Sequence, residues 1–332
     1  MSPKLGIVYH RENPPEDLAP AAVRYERLGF DELWLVEDLG FAGGIASAAI
    51  ALQATRSINV GIGILAAVIR NPVFAAMEVS TLARAFPGRL MPGIGHGIQD
   101  WMASVGARVN SPMRALRESI EIMNGLLAGE AVTMSGRYHH VHEVALKFPP
   151  KDQPMVLAGV RGPKSLSLAG ELCDGALLGE PVTPGHVRWA AEQMAPAATA
   201  AARAKPQLGV YAWMSVDKDG EAACDRLRPA LAHTLTDPAL AIHLENTPFM
   251  ADLHRAVRND LSQSEREAAL RGEWIRQLAI AGTPQECATV VVRLAEAGAG
   301  RVILMPVPGD TDRQIDAFAR DVMPLLGRNG QR

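Results

Sequence analysis

Residues Pro154–Gly170 read PMVLAGVRGPKSLSLAG. An apolar run from Met155 to Ala158 breaks at Gly159, passes through Val160, Arg161 and Gly162, and re-enters at Pro163 as an amphipathic run from Ser165 onward. This pattern predicts strand, turn and helix. The glycines on either side of Arg161 carry no side chain, so the backbone N–H groups there are open to close approach. Pro163 suits the first turn of a helix, where its missing N–H would have had no partner. Free first-turn amides, the helix dipole and the cations of Arg161 and Lys164 together make an anion site that a phosphate would fit. The same residues also fit a tight strand-to-helix loop with two solvated cations, and the rest of the chain must decide.

Upstream, short apolar runs alternate with longer amphipathic ones. Strands are expected at Leu5–Tyr9, Leu33–Val36, Ile58–Leu65 and Leu90–Gly95. The helices between and after them are expected at Glu16–Leu28, Gly44–Arg56, Val73–Phe86 and Pro112–Leu127, with Gly29 and Gly129 just past two of their ends. Ala131–Pro150 alternates weakly and reads as an excursion with a small hairpin before the fifth strand.

Downstream the alternation resumes: helix Lys164–Leu172, strand Gly175–Leu178, helix Pro184–Ala204, strand Leu208–Val216. Asp217–Trp274, rich in charge and short helical patterns, is expected to be a helical insertion after the seventh strand. Helix Pro284–Ala297, strand Arg301–Met305 and a closing helix Asp312–Leu326 complete eight strand–helix units. Eight such units argue for an α/β (β/α)8 TIM barrel as one domain over residues 1–327, with a flexible tail at 328–332.

The 332 residues are 48% apolar and 21% charged, ordinary for a globule with a large core. A net charge of −3 supplies no field to draw in nucleic acid or an anionic membrane, which leaves a small-molecule substrate as the expected partner. Cys173, Cys224 and Cys287 are too widely spaced for a disulfide framework or a paired-cysteine metal site. Strand-like sequence begins at Leu5 and no apolar run reaches membrane-spanning length, so a cytoplasmic protein is expected.

In a barrel the active site lies at the carboxyl ends of the strands. The residues there are His10 and Arg11; Glu37 and Asp38; Leu65 and Ala66; His96, Gln99 and Asp100; Arg161 with Lys164; Glu180; and Met305. Of these, His10, Asp38 and His96 are candidates for proton exchange, an imidazole titrating near neutrality. Each also fits a hydrogen-bonded polar residue at a barrel rim. In Tyr138–Glu143, His140 and His142 share one strand face and suit zinc or copper, but no third or fourth ligand stands nearby, and a solvated stretch is expected. Trp101 with Met102 suits a substrate wall or a packing anchor. Trp213 and Trp274 are expected to pack in the core or the insertion.

The segments LGIVYH, ERLGFDELWLVED, INVGIGIL, GRLMPGIGHG, RESIEIMNGLLAGEAVTMSGRYHHV, PMVLAGVRGPKSLSLAGELCDGALL and IAGTPQECATVVVRLAEAGAGRVILMP resemble, in order and over most of the chain, the luciferase-like superfamily of flavin- and deazaflavin-dependent TIM barrels. GPKSLSLAGELCDGALL and MSVDKDGEAA look most like the branch that uses coenzyme F-420, typified by methylenetetrahydromethanopterin reductase. The resemblance implies a hydride-transferring oxidoreductase with coenzyme F-420, or with FMN as the alternative cofactor. Gly159, Val160, Arg161, Gly162, Pro163, Lys164 and Ser165 would hold the cofactor phosphate. A bulge at Gly63, Ile64, Leu65 and Ala66, in relatives often with a non-proline cis peptide, would back the ring, and His96 would lie close to it. Relatives form dimers through the helix that falls at Ala75–Phe86, so a homodimer is expected, with internal packing of Met77, Leu82 and Ala85 as the competing account.

The sequence departs from these relatives at the proton donors. Glu37-Asp38 stands where the deazaflavin alcohol and sugar-phosphate dehydrogenases have Asp-His, Val8 replaces a carboxyl group in the first strand, and Ile98 falls where an acid commonly follows GIGxG. An FMN-dependent monooxygenase fed by a separate reductase and a non-catalytic flavin-binding barrel therefore stand beside the F-420 enzyme as alternatives. A metal-dependent hydrolase barrel would need several His and Asp ligands at strand ends, and only His10, Asp38 and His96 approach that.

Overall fold

In the computed structural model, which describes residues 2–245 and 247–328, strand and helix alternate from the start. In chain order they run β1 (Lys4–Tyr9), α1 (Leu18–Leu28), β2 (Glu32–Leu35), α2 (Gly44–Ala54), β3 (Asn59–Ala66), α3 (Pro72–Ala85), β4 (Leu90–Gly95), α4 (Gln99–Ser104) and α5 (Pro112–Leu127). A hairpin of β5 (Val132–Ser135) and β6 (His140–Val144) follows, then β7 (Leu157–Gly159), α6 (Pro163–Leu172), β8 (Gly175–Leu178), α7 (Pro184–Ala200) and β9 (Gln207–Val216). The expected helical insertion comprises α8 (Gly220–Thr234), α9 (Ala241–Leu244), α10 (Met250–Ala256), α11 (Gln263–Ala269) and α12 (Gly272–Leu278). The chain returns through β10 (Ile280–Gly282), α13 (Pro284–Glu296), β11 (Ala299–Pro306) and α14 (Thr311–Ala317).

Hydrogen bonding runs β9–β11–β1–β2–β3–β4–β7–β8 and back to β9, so eight strands close a barrel. Every pairing around it is parallel. A closed parallel barrel ringed by helices is the expected TIM architecture, and the β5–β6 hairpin forms a separate antiparallel sheet.

The barrel interior is solid at its base. The Trp34 indole fills it beside Val8, Met91, Leu157, Leu177, Tyr211 and Ile303. Neighbouring strands make room with glycine: a Cβ on Gly6 or Gly61 would lie 2.7 or 2.4 Å from the indole. Trp34 Nε1 donates to Glu32 Oε2 at 2.8 Å, and Arg301 Nε donates to Glu32 Oε1 at 3.1 Å. With its base plugged by an aromatic ring and a buried ion pair, the barrel can open only at its carboxyl end.

The structure differs from the sequence reading in several places. β10 was not expected; it pairs with the far end of β9 outside the closed ring, Ile280 opposite Met214. The insertion runs past Trp274 to Leu278 and has its own apolar cluster, where Phe249 stacks on Trp274 at 5.7 Å. The last helix is three pieces, α14 followed by a wide turn over Phe318–Val322 and a tight one over Met323–Leu326. Arg328, assigned to the tail, donates to Asp31 and to the Pro3 carbonyl, while residues 329–332 lie outside the described residues.

Candidate active site

A cavity of about 1510 Å³ opens at the carboxyl end of the barrel. Pockets for a single small ligand are typically ~300–1,000 Å³, so this one has room for a cofactor and a substrate together. His10, Asp38, His96, Gly63, Ile64, Ala66 and the whole run Gly159–Ser165 line it. Leu65 does not. It is 3% exposed and packs into the main core, because the bulge at β3 reverses which face each residue presents.

The turn after β7 is built as its residue types suggest. Gly162 caps α6 in extended conformation, with Pro163 in the first turn. The Gly162 carbonyl accepts from Leu166 N–H at 2.9 Å and from Ser165 Oγ at 2.9 Å, which seats the helix start. The first-turn amides have no preceding carbonyl within reach and border the cavity. The nearest carboxylate to the Arg161 guanidinium is Asp237, at 3.9 Å, a loose pairing between exposed groups. Gly159 is set by packing, since a Cβ there would sit 2.5 Å from Ile64 Cγ2.

On the opposite wall the β3–β4 register shifts between Ile62 and Leu65, and the Gly63–Ile64 peptide is cis. A Cβ on Gly93, Gly95 or Gly159 would come within 3.1, 2.4 or 2.5 Å of the Ile64 side chain. Three strands thus give up side chains to let Ile64 form the back of the cavity. Gly63 faces Tyr211, whose hydroxyl would be 1.9 Å from any Cβ.

Burial lowers the His10 pKa, partly countered by a bond to the Pro306 carbonyl. That oxygen accepts from Nε2 at 2.8 Å, so a neutral His10 ring carries its proton on Nε2 and spends it there. Burial also lowers the His96 pKa, and its Nδ1 is buried without a partner. Asp38 accepts from Arg11 Nη1 at 2.5 Å, while Arg11 Nε donates to Glu12 at 2.9 Å. Glu37 takes both Arg70 terminal nitrogens, at 2.5 and 2.8 Å, and the Gly44 N–H at 2.7 Å, tying the loop between β3 and α3 to the start of α2.

Several wall residues were not singled out from sequence. Tyr211 and Trp213 alternate along β9 into the cavity, and their hydroxyl and Nε1 are buried without partners. Trp213 packs against the apolar cluster of the insertion, as expected, and lines the cavity as well. Strand alternation around Tyr211 carried that signal; Ala230, His233 and Asp237, brought from the insertion, had none. Trp101 and Met102 wall the mouth. His140 and His142 lie exposed on the hairpin, and among the described residues no three His, Cys, Asp or Glu side chains gather as a metal site.

The sequence pattern of the luciferase-like monooxygenase family matches residues 3–301. The chain belongs to this family. Among its relatives, the 5,10-methylenetetrahydromethanopterin reductase of Methanolobus tindarius is 26% identical over 96% of this chain and 99% of its own. The F420-dependent glucose-6-phosphate dehydrogenase of Nocardia farcinica is 27% identical over 94% of both chains. Among solved structures, the coenzyme F420-dependent tetrahydromethanopterin reductase of Methanopyrus kandleri superposes with a TM-score of 0.82 at 22% identity, covering 98% of this chain and all of that one. The similarity spans the family barrel from end to end.

Proposed function

We propose that this protein is an oxidoreductase that moves a hydride between coenzyme F-420 and a small organic substrate. The observation that carries this reading is the glycine-flanked Arg161–Lys164 turn, which starts a helix at the rim of a cavity large enough for two ligands. The chain's relatives in the family, named for F420-dependent activities, support the deazaflavin.

The residues fit such a cofactor. Gly159–Ser165 would hold its phosphate, gaining about 1 kcal/mol from the helix dipole and more from charge-assisted bonds. Ile64 and the bulge would back the ring, and the unpartnered Tyr211 hydroxyl, Trp213 Nε1 and His96 Nδ1 offer hydrogen bonds to polar atoms placed in the cavity. The bound deazaflavin supplies a carbon that gives or takes a hydride. The chain's own work is to orient the partners, exclude water behind Trp101 and Ile64, and exchange one proton.

Titrating the protein separately with F-420 and FMN tests this reading. F-420 should bind, and replacing Arg161 and Lys164 together by alanine should weaken binding ~10- to 100-fold, the loss of one or two charge-assisted bonds. Binding of FMN alone, with oxygen consumed when it is reduced, would replace the reading with a monooxygenase.

We further infer a homodimer through α3, where Phe74 and Met77 are 63% and 46% exposed and Phe148 alongside is 64% exposed; Leu82 instead packs inward. Sedimentation of wild type and Phe74→Glu tests it, the variant expected as monomer. The three buried free thiols fit a reducing, cytoplasmic setting.

A further inference from the structure

We propose that Glu180 is the carboxyl group that exchanges the proton in this site, and that the substrate is an uncharged carbonyl compound or the alcohol formed from it. The inference rests on the deazaflavin reading and adds to it the proton donor and the substrate class.

Glu180 stands just past the carboxyl end of β8 and lines the cavity. The segment is anchored from behind, where the Nδ1 of His243, buried on α9 of the insertion, donates to the Pro181 carbonyl at 3.1 Å. Of the other acids lining the cavity, Glu37 is committed to Arg70 and the Gly44 amide, Asp38 and Glu12 to Arg11, while Asp100 and Asp237 lie exposed to solvent at the rim. Both histidines at the mouth are neutral by burial, and His10 spends its proton on Pro306. Among the described residues Glu180 has no ion pair or hydrogen-bonded side-chain partner.

Its surroundings favour the protonated form. Burial is the largest influence and raises its pKa, a bond from its own backbone N–H and the charge of Arg161 on the neighbouring turn after β7 pull the other way, and Asp38 adds to the rise. Tyr211 on β9, its own pKa far above the usual value, and the neutral His243 bring no charge to it.

Charge also limits the substrate. Arg11 and Arg70 are neutralised, and Arg161 and Lys164 belong to the cofactor turn, so a substrate phosphate or carboxylate finds no counter-ion of its own. Phe41, Ile69, Ile98 and Trp101 give the outer mouth apolar walls.

In the reducing direction the carbonyl carbon gains a hydride from the reduced deazaflavin, forming a C–H bond while the C=O π pair moves to oxygen. The Glu180 O–H bond breaks and that oxygen takes the proton, giving the alcohol. The ring N–H proton set free by the cofactor's two-electron oxidation balances, through solvent, the reprotonation of Glu180. Alcohol oxidation is the reverse.

The test uses Glu180→Gln and Glu180→Asp with two independent readouts. In cofactor-free protein, infrared difference spectra between wild type and Glu180→Gln should show a protonated carboxyl band that persists above the pH at which ordinary carboxyls ionise. With F-420, the Gln variant should bind cofactor within ~2-fold of wild type, lose ~100-fold or more in kcat for aldehyde or ketone reduction, and lose the alkaline fall of the kcat–pH profile, while Asp restores part of the rate. Absence of the band, an unchanged alkaline fall in the Gln variant, or loss of F-420 binding in that variant would each overturn the role. Turnover of glucose 6-phosphate but of no neutral carbonyl compound or alcohol would overturn the substrate class. If wild type does not bind F-420, the cofactor reading fails, and the infrared band still judges Glu180.

Discussion

Two glutamates in this molecule, one buried and one half-buried, receive opposite treatment. Glu118, on α5, accepts the Arg137, Tyr138 and His139 amides at 2.9, 2.9 and 3.2 Å and Arg114 Nε at 2.8 Å. Burial would raise its pKa, but Arg114 and the three amides outweigh it and bring the pKa down to about 2. Glu180 meets only its own backbone N–H, so burial prevails and its pKa rises. The difference teaches that burial alone does not set a carboxyl group's role. Surrounded by donors it is a strut, here fastening the β5–β6 hairpin to α5; facing a cavity with few donors it favours its protonated form.

The comparison breaks most readily at Glu118. Its fall from an ordinary 4.5 to about 2 is worth about 3 kcal/mol of stability at pH 7. Denaturant unfolding of Glu118→Gln should lose that amount while F-420 affinity stays put; a loss under about 1 kcal/mol would show that the strut is not needed.

The same shift fixes a pH signature. A depressed folded pKa gives stability that is complete above about 4.5 and lost as pH falls toward about 2. Acid titration of wild type should show this loss, shared with Glu26, whose pKa burial would raise but the Ile58, Ser57 and Arg56 amides bring down to about 2. The Glu118→Gln curve should be flatter.

A smaller effect sharpens the contrast between amides and cation. Arg114 is 59% exposed, so Arg114→Ala should cost about 1 kcal/mol or less and fade with added salt, leaving the amide contribution in place. A salt-independent loss as large as that of Glu118→Gln would assign the strut to the ion pair.

The smallest expected change has the opposite sign. A carboxyl with a raised folded pKa favours the folded state below its unfolded pKa and loses that advantage as pH rises through the folded value. Glu180→Gln should therefore gain stability relative to wild type at pH 8 but not at pH 4, by under about 1 kcal/mol because Glu180 is only half-buried. Equal differences at both pH values would remove the contrast with Glu118.

Much of the scaffold could be read along the chain. The barrel strands up to Gly95 and the turn at Gly159–Ser165 are announced by residues within a few positions of one another, as apolar runs, glycines and a helix-starting proline. What escaped is short or reversed by a distant constraint. β10 has only Ile280–Gly282 to declare it and α4 only Gln99–Ser104. Leu65 looks like a wall residue until the bulge turns it inward. Glu180 is one strand-end polar residue among several, with no mark of its own.

The sequence by itself determined the order of the barrel strands and helices and the basic corner after β7, because periodicity and turn chemistry act between neighbours, and its resemblance to a known family pointed to the same barrel. Only the tertiary structure decided which acids are spent and which is spare. Glu37 meets Arg70, and Glu180 feels the charges of Arg161 and Asp38, through proximity between residues far apart in the chain. The charge state of a buried group depends on which donors surround it in space, and the fold chooses those donors.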